Sequence, residues 1–248
     1  MLIFKEFRAI RHAKLVKVGY TCKLSATGEG RLSTNLMDTK IDVTSTCDAE
    51  INIYKSVNAT RSNKRIIIQD FLDFVKNGEY KKVAAHVHEF ARTIPRNKDE
   101  QTDEEKEELQ RRKKVAPVVT VSGTFTRRKD EHLDQHSGFI CPDFDSIEPE
   151  KYDEVRAALV KDPYTFALFD SISGMQRLAV IVKIPIERHR DSFFALEKYY
   201  RDKYGLEIDP ACKDVSRARY VSYDVSSNCL QRYLTFCKKK SRKKPEFT

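Results

Sequence analysis

Apolar and polar positions alternate along this chain in short runs that predict strands and amphipathic helices. The elements predicted in the first 94 residues are strands at Met1 to Phe7, Leu15 to Leu24 and Lys64 to Ile68, a loop at Ser25 to Ser45, and helices at Gln69 to Lys76 and Tyr80 to Ala91. The second of these helices carries His86 and His88. Two residues two positions apart point to different faces of a helix, so we interpret both histidines as structural or surface residues.

A compositional shift follows at Pro95 to Lys114, which is rich in charged residues. Thr102 and Glu105 have the spacing of a capping box, and Glu108 and Arg112 that of a favourable ion pair. These features predict a short charged helical linker over residues 95–114. The β-branched run that begins at Val115 and ends in Arg127-Arg128 then predicts a strand leading into a turn.

From Gly138 onward the hydrophobic pattern is regular. The predicted elements are a strand ending at Asp145, a helix at Pro149 to Lys161, strands at Tyr164 to Phe169 and Leu178 to Ile184, a helix at Arg188 to Tyr204, and a strand at Ala218 to Tyr223. This order, βαββαβ, is that of the ferredoxin-like arrangement. The predicted fold class is therefore α+β, with a ferredoxin-like module preceded by a smaller α/β segment.

The strand that begins at Ser137 ends in two carboxylates, Asp143 and Asp145. Side chains alternate along a strand, so these two project from the same face, about 6 to 7 Å apart. Two like charges at that spacing favour a divalent cation such as Mg²⁺. An acidic turn at a strand end would give the same pattern. Pro142 cannot donate to a β-ladder, which indicates a bulge or an edge strand here.

In a ferredoxin-like sheet the first strand lies between the third and the fourth. Its carboxyl end therefore meets the loop Ser171 to Arg177 and the segment Asp209 to Arg217. A third carboxylate in the latter segment would complete a site for one or two Mg²⁺ or Mn²⁺ ions. A Ser-Gly turn lets backbone N–H groups approach phosphate oxygens. The cationic side chains expected to contact phosphate are Arg177, Lys183 and Arg217.

Charge and composition add a polyanionic partner to this picture. The net charge is +9 and the isoelectric point about 9.1, which favours nucleic acid. No apolar run approaches the length of a membrane span, and the amino terminus lacks a signal-peptide pattern. The six cysteines form no Cys-x-x-Cys pair. These observations predict a cytoplasmic protein with reduced thiols and no membrane partner.

The motifs that carry a family resemblance come in a fixed order along the chain. They are Val118 to Phe125, Ser137-Gly138 leading to Asp143-Phe144-Asp145, Ser171-Ile172-Ser173-Gly174, Asp214 to Arg217, and Tyr220 to Asp224. Together they resemble the N-terminal domain of virulence-associated protein E-like proteins, a branch of the archaeo-eukaryotic primase superfamily found in bacterial mobile elements and phages. The resemblance covers Val115 to Asp224 and extends more loosely to Ile66 to Phe90.

The resemblance implies a metal-dependent primase-polymerase with an RNA-recognition-motif-like sheet, a single-stranded DNA template and nucleoside triphosphate substrates. It implies that Asp143, Asp145 and Asp214 are catalytic metal ligands, with Asp209 as the alternative third carboxylate. The implied nucleotide-binding residues are Ser171, Ser173, Gly174, Arg177, Lys183 and Arg217. In relatives, a second Gly and a His or Lys follow the Ser-x-Ser-Gly motif. Here Met175-Gln176-Arg177 stands in their place, and arginine cannot carry a proton at neutral pH.

The resulting organisation is an N-terminal α/β segment at 1–94, a charged helical linker at 95–114, a primase-polymerase core at 115–236 and a basic tail at 237–248. The tail is expected to be disordered and could hold phosphates. Relatives often continue into a helicase-like domain, so a helicase is an expected partner. The main alternative is a non-catalytic single-stranded DNA binding module. Another Asp-x-Asp enzyme, a haloacid-dehalogenase-type phosphatase or a glycosyltransferase, is the third.

Overall fold

A computed structural model describes residues 48–62, 64–97, 99–145, 147–174 and 177–229, which all belong to one compact unit. The strands predicted at Met1 to Phe7 and Leu15 to Leu24, the loop at Ser25 to Ser45 and the basic tail lie outside these residues. The strands are β1 Glu50–Tyr54, β2 Arg65–Ile67, β3 Val118–Thr120, β4 Gly123–Phe125, β5 Leu133–His136, β6 Phe139–Ile140, β7 Asp143–Phe144, β8 Thr165–Asp170, β9 Leu178–Lys183, β10 Arg219–Tyr220 and β11 Asn228–Cys229.

Five α-helices accompany these strands in the described part of the chain. They are α1 Ile68–Asn77, α2 Lys81–Ala91, α3 Asp103–Lys113, α4 Tyr152–Val160 and α5 His189–Tyr204. The protein is therefore α+β. The capping box of α3 is confirmed, because Thr102 Oγ1 accepts from the backbone N–H of Glu105 and Glu105 accepts from that of Thr102. α3 packs on α2 through the buried Leu109, which lies in an apolar cluster with Val87 and Ala91.

The strands form two sheets and a hairpin. The N-terminal sheet has the order β10-β3-β1-β2, the central sheet has the order β11-β8-β9-β6 with β7 also paired to β9, and β4 pairs with β5. One face of the central sheet packs on α4 and α5 through residues such as Leu168 and Leu196. Its other face packs on the N-terminal sheet and α1, through residues such as Phe169 and Phe71. Alternation of apolar side chains on β8 and β9 fills both cores.

The central sheet brings the predicted first and third strands together. Asp143 pairs with Ala179 of β9, and Phe169 of β8 pairs with the same residue from the other side. Pro142 interrupts the ladder between β6 and β7 without changing the register, since Ile140 pairs with Val182 and Asp143 with Ala179. The strand lies at the edge of the sheet, one of the two positions that Pro142 predicted.

The predicted fourth strand differs from a ferredoxin-like arrangement. β10 pairs with β3 of the N-terminal sheet instead of lying beside β7. The free edge of β6 and β7 is occupied in another way: the backbone N–H of Asp209 donates to the carbonyl of Asp143 at 2.9 Å, and Arg219 Nη2 donates to the carbonyl of Cys141 at 3.2 Å. The backbone carbonyls of Asp143 and Cys141 thus receive hydrogen bonds that a neighbouring strand would otherwise supply.

A buried histidine, His136, and a partly buried one, His189, join β5 to the start of α5. His136 Nδ1 accepts from the backbone N–H of Gly138 at 2.9 Å, so its Nε2 carries the proton and faces His189 Nδ1 at 3.1 Å. Burial lowers the pKa of both histidines to about 4, although Glu187 and Asp130 act in the opposite direction. The pair is therefore neutral in the folded protein at pH 7.

We predict that acid weakens the fold through this pair. Because the folded-state pKa of about 4 lies below the ordinary value of about 6.5, the unfolded chain binds more protons between these values. The pair's contribution is complete above about pH 6.5 and is lost as the pH falls towards 4. Urea unfolding at several pH values measures the free energy of unfolding. Between about pH 6.5 and 4, His136→Gln/His189→Gln should lose roughly 1 to 3 kcal/mol less of this free energy than the wild type. The exposed His132→Gln is the control, and equal slopes in both variants would contradict the prediction.

Candidate functional site

The candidate site lies at one end of the central sheet, where β7 and β8 end and β9 begins. We refer to these strand ends as the site's edge of the sheet. β7 and β8 are both antiparallel to β9, so their carboxyl ends meet at this edge. Asp143 is the first residue of the two-residue strand β7, and the loop Ser171 to Arg177 connects β8 to β9. The segment before β10 joins them through the backbone bond from Asp209 to Asp143. The convergence of three polar segments that the sequence predicted is therefore present in the fold.

Asp143 is buried and paired with a buried arginine. Its Oδ2 lies 2.6 Å from Arg219 Nη1, and both side chains are about one-tenth exposed. Burial opposes the charge on Arg219, but Asp143 outweighs that effect, so the pKa of Arg219 stays well above its ordinary value. Asp143 Oδ1 is buried without a hydrogen-bond partner. One oxygen of this carboxylate is thus neutralised within the protein, and the other is left for a further donor or a cation.

Two buried thiols surround this ion pair. Cys141 and Cys212 are both free and buried, and Cys212 Sγ lies 3.9 Å from Arg219 Nη2. Burial raises the pKa of the Cys212 thiol to about 12 and raises that of Cys141 as well. Both thiols are therefore protonated and act as small apolar residues beside the guanidinium.

The other predicted carboxylates occupy different environments. Asp145 is half-buried one residue beyond β7, whereas Asp214 is exposed in the turn after the 3-10 helix Pro210–Lys213. Asp209 contacts Asp143 through its backbone N–H. Both of its carboxylate oxygens are engaged, by the backbone N–H of Ala211 at 2.9 Å and by Arg217 Nη2 at 2.7 Å. Within the described residues, no three His, Cys, Asp or Glu side chains form a group that could hold a metal ion.

The described residues of the loop Ser171 to Arg177 are joined by backbone hydrogen bonds. The backbone N–H of Gly174 donates to the carbonyl of Ser171 at 2.8 Å, and that of Ser171 to the carbonyl of Arg177 at 2.9 Å. Gly174 has a φ of +59°, a conformation that side chains other than glycine rarely adopt. Ser171 and Ser173 are buried. This geometry holds the serines and the glycine at one place, as the Ser-Gly turn predicted.

One arginine, Arg177, ends this loop, and a second, Arg96, contacts it. Arg177 is 4% exposed; its Nη2 donates to the backbone carbonyl of Arg96 at 3.0 Å, while its buried Nε has no hydrogen-bond partner. Burial and the neighbouring Arg177 lower the pKa of Arg96. The guanidinium of Arg96 donates to the backbone carbonyl of Ile147. The two arginines concentrate positive charge next to the loop, which favours a nearby anion. The sequence singled out Arg177 but not Arg96, which follows α2 and has no local motif.

His88 of α2 also reaches the loop. A β-carbon built on Gly174 would lie 3.0 Å from His88 Nε2, a buried nitrogen without a hydrogen-bond partner. Burial and the neighbouring Arg92 lower the pKa of His88, so the ring is neutral at pH 7. Its partner in the sequence, His86, is exposed. The exposed position of His86 and the packing of His88 against the Gly174 turn are both compatible with the interpretation of these histidines as surface and structural residues.

Lys183 is not brought to this edge. It pairs with Phe139 at the far end of β9, five residues from Leu178, which corresponds to roughly 17 Å along the strand. The prediction that Lys183 contacts phosphate at this site is therefore corrected, because the two ends of β9 lie at opposite ends of the sheet. Arg217 lies on the Asp209 side of the site, with 42% of its side chain exposed.

A second buried ionic network fixes the end of β8. Arg156 of α4 binds Asp170 and Asp224, each at 2.7 Å, and the backbone N–H of Asp170 donates to Asp224 at 3.0 Å. Burial raises the pKa of Asp170, whereas hydrogen bonds from Ser226 and Arg156 outweigh burial and lower that of Asp224. Asp170 directly precedes Ser171, so this network holds the beginning of the loop. Sequence analysis did not identify it, because its members lie on three separate segments.

We predict that the Asp143 and Arg219 pair is a large stability determinant. Arg219→Met should lower the free energy of unfolding by about 3 to 5 kcal/mol, because it leaves a buried carboxylate without its counter-ion. Arg219→Met/Asp143→Leu should recover most of that loss. Arg217→Met, which breaks an exposed ion pair, is the matched control and should cost about 1 kcal/mol or less. Urea unfolding measures all three, and equal losses in Arg219→Met and Arg217→Met would contradict the prediction.

Comparison with known proteins adds one similarity. Residues 110–227, just under half of the chain, match the family model described as BT4734-like, N-terminal domain. No curated protein and no solved structure matches the chain. The matched stretch includes Asp143, the loop after β8 and Arg219, but not His88 or Arg96. The chain is thus similar to this family over the central sheet and the candidate site.

Proposed function

We propose that the protein is a metal-dependent primase-polymerase, which joins nucleotides on a single-stranded DNA template for the replication of a mobile element or phage. The observation that carries this proposal is the buried, unpartnered Oδ1 of Asp143 at a sheet edge that it shares with a phosphate-compatible loop. The order of β6 to β10 along the chain agrees with a ferredoxin-like, RNA-recognition-motif-like module, with the fourth strand displaced to β3.

The carboxylates of this edge fit a divalent cation. Mg²⁺ commonly takes one or two protein carboxylates and completes its shell with substrate phosphates, so Asp143 and Asp145 suffice as protein ligands. Bound there, Mg²⁺ or Mn²⁺ would neutralise nucleotide phosphates and activate an attacking hydroxyl. Arg219 fixes the orientation of Asp143 through Oδ2, which leaves Oδ1 for the cation. Asp214 would have to move to act as a third ligand, since it is exposed in a turn.

The loop side of the site fits the triphosphate of a nucleotide. Arg177 and Arg96 supply positive charge, and Ser171, Ser173 and the tight turn at Gly174 supply hydroxyl and backbone donors. His88 stands where it can support the turn or donate to a phosphate oxygen. Relatives have a His or Lys where this chain has Met175-Gln176-Arg177. His88 would supply an imidazole to the loop from another part of the chain.

The partners that follow from this function are a single-stranded DNA template, nucleoside triphosphates and, for duplex substrates, a helicase. No helix in the described part of the chain is long and apolar enough to cross a membrane. A cytoplasmic location is part of the same proposal, because template and nucleotides are found there.

A non-catalytic single-stranded DNA binding module is the second candidate. The observation that favours it is the ion pair itself: Arg219 already neutralises Asp143 at 2.6 Å, so the fold does not need a metal ion to balance this carboxylate. The absence of a three-ligand group among the described residues points the same way. The two candidates share DNA binding and differ in nucleotide incorporation.

We predict metal-dependent incorporation that requires the two carboxylates. The assay measures nucleotide addition on a single-stranded template, with and without a primer, with Mg²⁺ or Mn²⁺, using ribonucleotides and deoxynucleotides. Asp143→Asn and Asp145→Asn should each lower the rate by at least about 100-fold, because both would lose a metal-binding charge. Asp143→Asn also removes the counter-ion of Arg219, so urea unfolding first establishes that both variants are folded under the assay conditions. Asp153→Asn, an exposed carboxylate of α4, is the matched control. Asp209→Asn and Asp214→Asn in parallel identify the third carboxylate.

The contradicting outcome for this proposal is specific. If no product forms with either metal or either nucleotide class while wild type and Asp143→Asn bind single-stranded DNA equally, the catalytic proposal falls and the binding module replaces it. A product that Asp143→Asn forms at the wild-type rate would also exclude Asp143 as a metal ligand.

We predict a separate effect of His88 on nucleotide binding. His88→Ala should raise the KM for the nucleoside triphosphate about five- to tenfold with a smaller change in kcat, because it removes support from the phosphate-binding turn. His86→Ala, two positions away and exposed, is the matched control and should leave both constants unchanged. Equal behaviour of the two variants would contradict a role for His88 at this site.

A further inference from the structure

A group of exposed cations lies on two loops next to the N-terminal sheet, which we call the basic ridge. It consists of Lys55, Arg61 and Lys64 of the β1–β2 loop and Arg127 and Lys129 of the β4–β5 turn. The sequence from Lys55 to Lys64 contains no acidic residue, and neither does Thr126 to Lys129. The β1–β2 loop thus carries positive charge without an acidic residue of its own, whereas the β4–β5 turn continues into Asp130 and Glu131 after its cations.

Arg128 holds the two loops together. Its backbone N–H donates to the carbonyl of Thr60 at 2.7 Å, and its Nη2 donates to the carbonyl of Val57. Its guanidinium carbon lies 5.5 Å from the centre of the Tyr54 ring, a cation–π distance. Burial lowers the pKa of Arg128. Arg128 therefore has a structural role. It joins the β4–β5 turn, which carries Arg127 and Lys129, to the β1–β2 loop.

The cations of the ridge are largely without acidic partners. Lys129 lies 3.5 Å from Glu131 in an exposed pair, while Lys55, Arg61, Lys64 and Arg127 make no ion pair among the residues that the structure describes. Because the loops are fastened by Arg128, these charges cannot separate freely to relieve their repulsion. A surface of this kind attracts a polyanion, and binding releases the counter-ions of the polyanion.

The ridge is connected to the candidate site. Asp130, which directly follows Lys129, accepts a hydrogen bond from the backbone N–H of Ser216 at 2.9 Å. Ser216 lies in the segment between Asp209 and Arg219 that contacts Asp143. On the other side, the backbone N–H of Phe125 donates to Asn52 Oδ1 at 2.6 Å and fixes β4 on β1. A strand bound along the ridge would therefore be led towards the edge that carries Asp143.

We infer that the basic ridge binds the sugar–phosphate backbone of the template strand. This inference rests on the proposed function, which it extends by naming the surface that holds the template. The lysines and arginines of the ridge would contact the phosphate groups of the strand. Recognition is therefore independent of sequence and strongly dependent on salt.

The test measures binding of a fluorescently labelled single-stranded oligonucleotide by anisotropy at several salt concentrations. Arg61→Glu/Lys64→Glu/Arg127→Glu should weaken binding at least about tenfold at low salt and reduce the slope of log K against log salt by about 2, since about 0.7 is expected per lost phosphate contact. The matched control is Arg190→Glu/Lys198→Glu/Arg201→Glu, which makes the same charge change on exposed positions of α5. Circular dichroism and urea unfolding of both variants establish that they are folded.

The outcomes separate this inference from the proposed function. Loss of oligonucleotide binding in the ridge variant alone supports the ridge, whether or not the wild type incorporates nucleotides. Equal binding by the ridge variant and the α5 control overturns the ridge, even if Asp143→Asn abolishes incorporation. The same binding assay is made with duplex DNA and with anionic phosphatidylserine vesicles. If the ridge variant loses binding to one of these but still binds the single-stranded oligonucleotide, the assignment to a template strand is overturned.

Discussion

The ion pair between Arg219 and Asp143 joins parts of the chain that are far apart in sequence. Asp143 belongs to the central sheet and Arg219 to the N-terminal sheet, and their side chains meet at 2.6 Å in a buried place. A buried charge is tolerated only when it is paired and hydrogen-bonded, so each partner requires the other. The same guanidinium satisfies the carbonyl of Cys141 at the strand edge. The position of the Asp209 to Arg219 segment, and with it one wall of the candidate site, depends on this contact.

Around that contact, the site is built from an acidic and a basic half. The acidic half is Asp143 with Asp145 at the end of β7, and the basic half is Arg177 with Arg96 beside the loop after β8. Neighbouring strands hold the two halves at one edge of the sheet, because β7 and β8 run parallel on either side of β9. A carboxylate edge facing a cationic loop is an arrangement that suits a metal-bound phosphate ester.

The network of Arg156, Asp170 and Asp224 has a comparable role on the other side of the loop. It ties α4, the end of β8 and the chain after β10 to one another, and it fixes the residue that precedes Ser171. The loop is therefore held by ion pairs at its start and by His88 and Arg96 along its side. These contacts hold the described residues at the start of the loop in place.

Much of the fold followed from the sequence. Hydrophobic periodicity and capping residues are local signals, and they predicted β2, β8, β9 and all five helices of the described chain to within a few residues. They also predicted a bulge or an edge strand at Pro142, and the structure has an edge strand there. Local signals did not predict the pairing of β10 with β3, because strand partners are chosen by long-range packing and by the Arg219 contact.

The candidate site divides in the same way. The Asp-x-Asp motif, the Ser-Gly loop and Arg177 are readable in sequence because each is a short contiguous pattern. His88, Arg96 and Arg219 are single residues on distant elements, and no spacing rule marks them. Only the tertiary structure decided that these three residues lie near the candidate site and that Lys183 does not. It also decided that one carboxylate oxygen of Asp143 is paired with Arg219. The physical reason is that burial and pairing of charges depend on which surfaces pack together, which the order of residues along the chain does not specify.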